Sequence, residues 1–466
     1  MTSPSEPSVR DAAVPVRLAV TGAAGGFART LLPHARRHRD LVTAVLCDRD
    51  VAGLRAVCRQ AGYAEGDLAE CGSPADARRA VERGQIALTA SIDTLAEVPH
   101  DVTVEATGHA ATGYAVATAA IDAGRDVVMV TKETQAVAGR RLGALARDRG
   151  VRCVAAEGDQ PANLVDLVAW AQQCGLDVVA AGKSSEYDVV HDPTTGRARL
   201  SDAEFDAASL SDHWRIGDDV GGTLARRAAV LAPFVRASAA DVCEMTVAAN
   251  LLGLRPDVPT LHHPPARVPE LADVYAASEH GGIRRADGVV DVFTQLRTPD
   301  EASFAGGVFV IVRVHDRATA EVLAGKGHVI SRDRRYACLY RPHHLMGLET
   351  VRSLRRLAGT STETAAEPAA GPVTMYGVTT ARLDAGTSLR VAGHHHEIDG
   401  VEPRLATDAP SDAIPFYLLD GARIRTTLEP GTTVRSEHVR LPETSLAADC
   451  APGRDRESSL REGASV

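Results

Sequence analysis

Short apolar runs punctuate the first half of the chain, and each stops where a glycine, a threonine or a charge begins. Val16–Thr21, Leu41–Cys47, 101–106, 126–130, 151–155 and 176–181 all have strand length and strand composition. Helical patterns follow several of them, up to His38, over 113–123 and over 163–173. Strand, turn and helix in that rhythm predict an α/β fold with a doubly wound parallel sheet. Further on, 241–250 reads as a helix and 307–314, rich in Val, Ile and Phe, as a buried strand. Past a Thr, Ala, Glu and Pro-rich linker, short strands with glycine turns predict a small all-β unit. Leu383-Asp-Ala-Gly-Thr-Ser-Leu-Arg390 and Leu428-Glu-Pro-Gly-Thr-Thr-Val-Arg435 match position for position in type, which predicts a duplicated half-module with pseudo-two-fold symmetry.

The first turn reads Gly22-Ala23-Ala24-Gly25-Gly26-Phe27-Ala28 between a strand and a helix. Glycines there let the backbone approach a pyrophosphate, whose charge rests on the helix N-terminus. This is a G-x-x-G-x-x-A variant of the Rossmann fingerprint, and Gly22, Ala24, Gly25, Gly26 and Phe27 form the candidate cofactor turn. Asp48 ends the second run, where an acidic residue binds ribose hydroxyls, and Arg49 suits an adenine stack or a 2′-phosphate. The cofactor is therefore NAD or NADP, with NAD favoured. Thr107, Gly108 and Lys132 close later runs, on the sheet edge where ligands of open parallel sheets sit.

Composition narrows the chemistry. A formal charge of -10 and 4% aromatic residues argue against a nucleic-acid surface. No run approaches the ~18 apolar residues of a membrane span, and 1–14 lacks the apolar core of a signal peptide. Eight scattered cysteines without a C-x-x-C pair fit a reducing cytoplasm. A cytoplasmic protein acting on a small molecule is the expectation, with no nucleic acid and no membrane as partner.

Lysine is the rare residue: Lys132, Lys183 and Lys326 are the whole set among 51 Lys plus Arg. Arginine cannot exchange a proton in the working range, whereas a buried lysine can. Lys183 follows the run 176–181, as Lys132 follows 126–130, so two lysines are expected to close strands at one sheet edge and converge on a substrate. Between them lies Glu157-Gly158-Asp159-Gln160-Pro161, two carboxylates and an amide directly after a strand, which also suits a helix start. Tyr187, Asn250, Tyr340, Arg341 and His343 are further substrate candidates with Glu157 and Gln160, while Glu244 is assigned to a helix surface. His394-His395-His396-Glu397 reads as an exposed loop ahead of a transition-metal site, and no metal ligands are assigned.

Glu157-Gly-Asp-Gln-Pro161, Ala180-Ala-Gly-Lys183, Gly306-Gly-Val-Phe309, Tyr340-Arg-Pro-His-His-Leu345 and the Gly-Leu-Glu349 that follows resemble the homoserine-dehydrogenase-like oxidoreductases that carry a carboxyl-terminal SAF domain, the DRL (1-deoxy-D-xylulose 5-phosphate reductoisomerase-like) family. The resemblance implies a Rossmann domain over 16–156, a catalytic and oligomerisation domain over 157–344, a helix over 345–358 returning to the Rossmann sheet, and a SAF (β-clip) domain over 373–442. Residues 1–15, the linker 359–372 and the tail 443–466 fall outside these units, both termini being expected to be disordered. It also implies a homo-oligomer.

The reading is an NAD(P)-dependent oxidoreductase that moves a hydride to or from a small polar hydroxy or keto compound. Lys183 is the expected general acid or base, Lys132 orients the substrate, and Asp159 with Glu157 binds hydroxyls or a cation. Reductive isomerisation of a sugar-phosphate-like compound would add a divalent cation. A redox-neutral epimerase or lyase with transient hydride transfer, or a non-catalytic cofactor-sensing protein, are the alternatives.

Overall fold

The computed structural model describes residues 15–235, 238–359 and 373–453. The expected disorder of the amino terminus, nearly all of the linker and the last part of the tail thus lie outside the described residues.

The first unit is β1 (Val16–Thr21), α1 (Gly26–Ala35), β2 (Leu41–Cys47), α2 (Val51–Gln60), β3 (Leu68–Glu70), α3 (Pro74–Glu82) and β4 (Ile86–Thr89), then α4 (Asp93–Glu97), β5 (Val102–Glu105), α5 (Ala110–Asp122), β6 (Asp126–Met129), α6 (Lys132–Asp148) and β7 (Cys153–Ala155). Its seven strands pair in the order β3-β4-β2-β1-β5-β6-β7, every pair parallel. The apolar runs become these strands because helices cover both faces, leaving Leu18, Ala19 and Val20 without solvent contact. Strand order reverses between β1 and β5, which opens a crevice at their carboxyl ends.

The second unit follows α7 (Gln160–Gln173): β8 (Asp177–Ser184), β9 (Val189–Asp192), β10 (Arg197–Leu200), β11 (Ala203–Asp206), α8 (Val220–Leu231), α9 (Ala239–Leu252), β12 (Arg255–Pro256) and β13 (Pro265–Ala266), then α10 (Leu271–Val274), β14 (Val289–Arg297), β15 (Val308–Arg313), α11 (Arg317–Gly325), β16 (Val329–Ile330) and β17 (Tyr336–Arg341). They form a mixed ten-stranded sheet in the order β11-β10-β9-β14-β8-β15-β17-β16, with β12 and β13 on β14. Strand β8 runs past Gly182 to Ser184, so Lys183 lies inside a strand and does not follow one. The cause is two-sided pairing, since Lys183 stands opposite both Val292 and Val308. The two lysines therefore belong to different units, Lys132 opening α6 after the first sheet and Lys183 lying inside the second.

Helix α12 (Thr350–Leu357) returns to the first unit, where Val351, Leu354 and Leu357 enter its core. It starts at Thr350, after a turn in which Gly347 has φ +77 and lies so close to α1 that a Cβ would meet Thr30 Oγ1 at 2.2 Å.

The third unit holds β18 (Thr374–Thr379), β19 (Val391–Ala392), β20 (Glu397–Ile398) and β21 (Val401–Ala406), paired in the order β18-β21-β20-β19, and a separate pair, β22 (Arg423–Ile424) with β23 (Val439–Arg440). The duplicated segments are related by backbone hydrogen bonds. Leu383 and Leu428 exchange both N–H···O bonds at 2.9 Å, and Gly386 N to Ile424 O is answered by Gly431 N to Thr379 O. The described chain then continues into a helix, α13 (Ser445–Cys450), where disorder was expected from 443. It is held by Thr444 as N-cap and by the Tyr114 hydroxyl, which donates to Asp449 at 2.7 Å.

Helix α9 packs against α6, α7, β14, β18 and β21, and thus against all three units. Among the described residues, no helix is long and apolar enough to cross a membrane.

Candidate active site

The crevice at the ends of β1, β2 and β5 opens into a cavity of about 690 Å³ lined by Gly22, Asp48, Arg49, Ser91, Thr107 and His109, among others. Gly22 has φ +64, and a Cβ there would lie 2.0 Å from Ala106 O, so only glycine lets the first turn pass so close to the end of β5. Gly26, the first residue of α1, has nothing within 4 Å of a would-be Cβ, which leaves the helix N-terminus open. Phe27, in contrast, is buried in the core and serves packing. Asp48 spans the turn: Oδ2 accepts from Ala24 N and Oδ1 from Asp50 N, both at 3.0 Å. Each oxygen keeps acceptor capacity for a ribose hydroxyl. These residues fit a dinucleotide.

Beneath the crevice is a residue the sequence reading missed. Glu105 ends β5 with no solvent exposure and accepts from Thr107 N, Thr107 Oγ1 and Thr131 Oγ1 at 2.6 to 3.0 Å. Burial raises its pKa against these hydrogen bonds. Gly108 N in turn donates to Thr131 Oγ1 at 3.0 Å, so one carboxylate shapes both strand ends that precede Lys132. The signal was a lone carboxylate closing an apolar strand.

The two lysines meet through Glu244. Lys132 Nζ donates to Glu244 Oε1, and Lys183 Nζ donates to Glu244 Oε2 and, at 2.7 Å, to Asp241 Oδ1. Glu244, expected on a helix surface, is 2% exposed, because α9 is covered on every side. Burial alone would lower both ammonium pKa values, but carboxylates override it and raise them, Glu244, Asp159 and Glu133 for Lys132, Asp241 and Glu244 for Lys183. Asp241 answers in the other sense: burial pushes it up, and Lys183 pulls it down to about 2. Both lysines are thus held as ammonium ions, not tuned down toward neutrality. They differ in access, for the Lys183 side chain is 2% exposed and that of Lys132 is 21% exposed.

Asp159 caps α7 and lies in the field of Lys132, Glu244 and His344, with its pKa raised by burial. His344, whose Nδ1 donates to Gly306 O at 3.2 Å, is the histidine on this side, whereas His343 is exposed. No regular period governs 342–349, so nothing in the sequence told the two apart. Behind Lys183, Asp291 Oδ1 accepts from the backbone N–H groups of His262, His263 and Val292. That turn places His263 against Thr294 at 3.1 Å and in the field of Asp241 and Lys183; burial lowers the His263 pKa.

Several sequence candidates lie elsewhere. Glu157 turns away from the lysines toward α12, where Arg356 and Arg352 approach Oε1 at 2.9 and 3.2 Å and Ser353 donates to Oε2. Burial pushes it up to about 7 against those arginines. Gln160 is buried beside Gly306. The Asn250 side chain clamps the Val373 backbone, donating to its carbonyl at 3.0 Å and accepting from its N–H at 3.1 Å. Tyr340 is exposed and packs on Phe304, and Arg341 stands between Asp166 and Glu349, each 4.0 Å away. Tyr187 lines a second cavity of about 180 Å³ with Ser185, Glu186, Asp241, Thr294 and His395.

The turn 393–396 is not a free loop. His396 Nδ1 donates to buried Glu133 at 2.6 Å, and His394 Nε2 donates to Glu186 at 2.6 Å. Among the described residues, no three His, Cys, Asp or Glu side chains are grouped so that they could hold a metal ion.

Residues 158–350 match the family described as "Oxidoreductase DRL, catalytic domain". No curated protein matches the chain significantly. Among solved structures, WlbA dehydrogenase from Bordetella pertussis, in complex with NADH and UDP-GlcNAcA, is 19% identical over 38% of this chain and 47% of its own, with a TM-score of 0.28. The 1-deoxy-D-xylulose 5-phosphate reductoisomerase from Zymomonas mobilis, in complex with NADPH, is 20% identical over 37% of this chain and 46% of its own, with a TM-score of 0.28. The chain spans about half the length of these structures.

Proposed function

We propose that the protein is an NAD(P)-dependent oxidoreductase that reduces the carbonyl of a small polar keto compound, or runs the reverse oxidation. A bound nicotinamide would supply or accept the hydride. What carries the reading is Lys132: a partly open ammonium just after the end of β6, the strand beside β5, held charged by Glu244. The match of residues 158–350 to an oxidoreductase domain supports it.

In this reading the roles expected of the two lysines are exchanged, and their difference in exposure supports it. Lys183 is enclosed, with Glu244 and Asp241 as its acceptors, and acts as a positioning residue that fixes Glu244. Lys132 has more N–H donors than its bond to Glu244 uses, and its side chain, 21% exposed, leaves room for a substrate oxygen to approach. As hydride reaches the carbonyl carbon, charge develops on the oxygen; the ammonium first stabilises it and then delivers a proton, giving the alcohol. Asp159, in the same field, takes a hydroxyl of the substrate. Two carboxylates near the crevice mouth, Asp48 and Asp420, favour NAD over the extra charge of NADP.

The test is a titration with NADH and NADPH followed by a panel of small keto acids and keto sugars, comparing the wild type with Lys132→Arg. Dinucleotide binding in both and turnover in the wild type alone is expected. Absence of dinucleotide binding, or undiminished turnover by Lys132→Arg, would overturn the proposal.

A further inference from the structure

A single turn of the third unit meets α6, α9 and the segment just after β8, next to every element that carries a member of the lysine network. The turn between β19 and β20 spans Gly393 to His396. On α6, next to Lys132, Glu133 accepts from His396 Nδ1 at 2.6 Å. On α9, which carries Asp241 and Glu244, the first-turn N–H of Ala240 donates to His395 O at 3.1 Å. Just beyond β8, which carries Lys183, Glu186 accepts from His394 at 2.6 Å and lies 3.2 Å from His395 Nδ1. A loop that merely packed would not meet all three elements through polar groups.

Local cost points the same way. His396 has φ 52, a left-handed conformation that a non-glycine residue adopts where its surroundings enforce it. Glu133 is 3% exposed, and a buried carboxylate needs a partner. Lys132, Glu105, Cys243 and Tyr417 lie in the field of Glu133, and Glu133, Lys132 and Glu244 in that of His396, which makes the hydrogen bond to Glu133.

We propose that the third unit is a wall of the reaction centre and that His396 is a positioning residue, which hydrogen-bonds Glu133 beside Lys132 and so sets the field at the reacting ammonium. This rests on the reading of Lys132 as the reacting group. The Glu133 hydrogen bond raises the His396 pKa above its ordinary 6.5, and burial opposes it. Below that point the imidazolium shares Glu133 with Lys132; above it, Lys132 is left as the one cation on that carboxylate.

The scarcity of lysine makes this measurable without a substrate. Lysine labelled with 13C at the ε carbon gives three signals, from Lys132, Lys183 and Lys326, with Lys132→Arg assigning the first. The Lys132 signal is expected to move with an inflection above pH 6.5, and the inflection is lost in His396→Gln and in Glu133→Gln, while Lys326 stays still. Where the keto panel yields a substrate, His396→Gln lowers kcat and leaves the KM for NADH unchanged. A wild-type Lys132 signal without that inflection, or one that survives in whichever variant folds, overturns the proposal. Because the titration needs neither cofactor nor substrate, its failure is separate from a failure of hydride transfer.

Discussion

Lys132, the first residue of α6, and Lys183, inside β8 of the second sheet, donate to opposite oxygens of one buried carboxylate, Glu244. Substitution should separate them. Lys132→Met is expected to keep the fold and NADH binding while turnover falls about 10² to 10⁴-fold, the usual worth of a positioned proton donor. Lys183→Met removes a partner from Asp241 and Glu244 and should lower the unfolding free energy by about 3–5 kcal/mol. Urea midpoints and rates, measured on both variants, check this; equal effects of the two on stability would refute the division of roles.

Asp48 predicts a cofactor preference. With its charge removed in Asp48→Asn, NAD should bind about 10 to 100-fold more weakly, the worth of a hydrogen bond to a charged group. NADP affinity should hold or rise, since a carboxylate no longer faces a 2′-phosphate. Calorimetric titration with both dinucleotides reads the ratio directly.

Acid should weaken the fold through His100. Burial first, and Arg125 second, lower its pKa from 6.5 to about 4. The unfolded chain therefore takes up a proton there that the folded chain refuses, and stability is lost as pH falls from 6.5 toward 4. The full effect is about 3 kcal/mol. Denaturant unfolding across that window should show a slope that flattens in His100→Asn.

The reciprocal bonds of Leu383 and Leu428 predict matched losses. Both side chains are buried, so Leu383→Ala and Leu428→Ala should each cost about 2–5 kcal/mol. The double variant should fall short of the sum, because the two residues are paired neighbours. Thermal unfolding of the three variants decides it, and a neutral effect of one leucine alone would break the equivalence.

The α/β rhythm was readable because strands buried on both faces become continuous apolar runs, and the repeat was readable because its two copies share a turn chemistry. Glu244 was misread for a physical reason. An amphipathic helix marks its buried face by period, but α9 is enclosed on all sides, so its apolar positions carry no inside and no outside. A carboxylate in such a helix looks like surface until its partners are in place. The end of β8 was misplaced because Gly182 resembles a strand terminator. Here it is a residue without room for a side chain, since a Cβ would meet Asp291 O at 2.2 Å. The bond between Glu133 and His396 joins elements of different units, beyond the reach of any local pattern.

Glu157 stands at the point where the chain leaves the first sheet, and Thr350 at the point where it comes back. The Thr350 hydroxyl donates to the Glu157 carbonyl at 2.7 Å. The oxidoreductase match begins at 158 and ends at 350. The segment thus departs and returns through a single neck, and its boundaries as a recurring unit coincide with a closed physical loop. A host sheet can accept such a cassette without moving its own strands, because the two cut ends already touch. In this chain, the hydrogen bonds of Thr350 and Ser353 to Glu157 tie the neck, and the arginines of α12 cinch it.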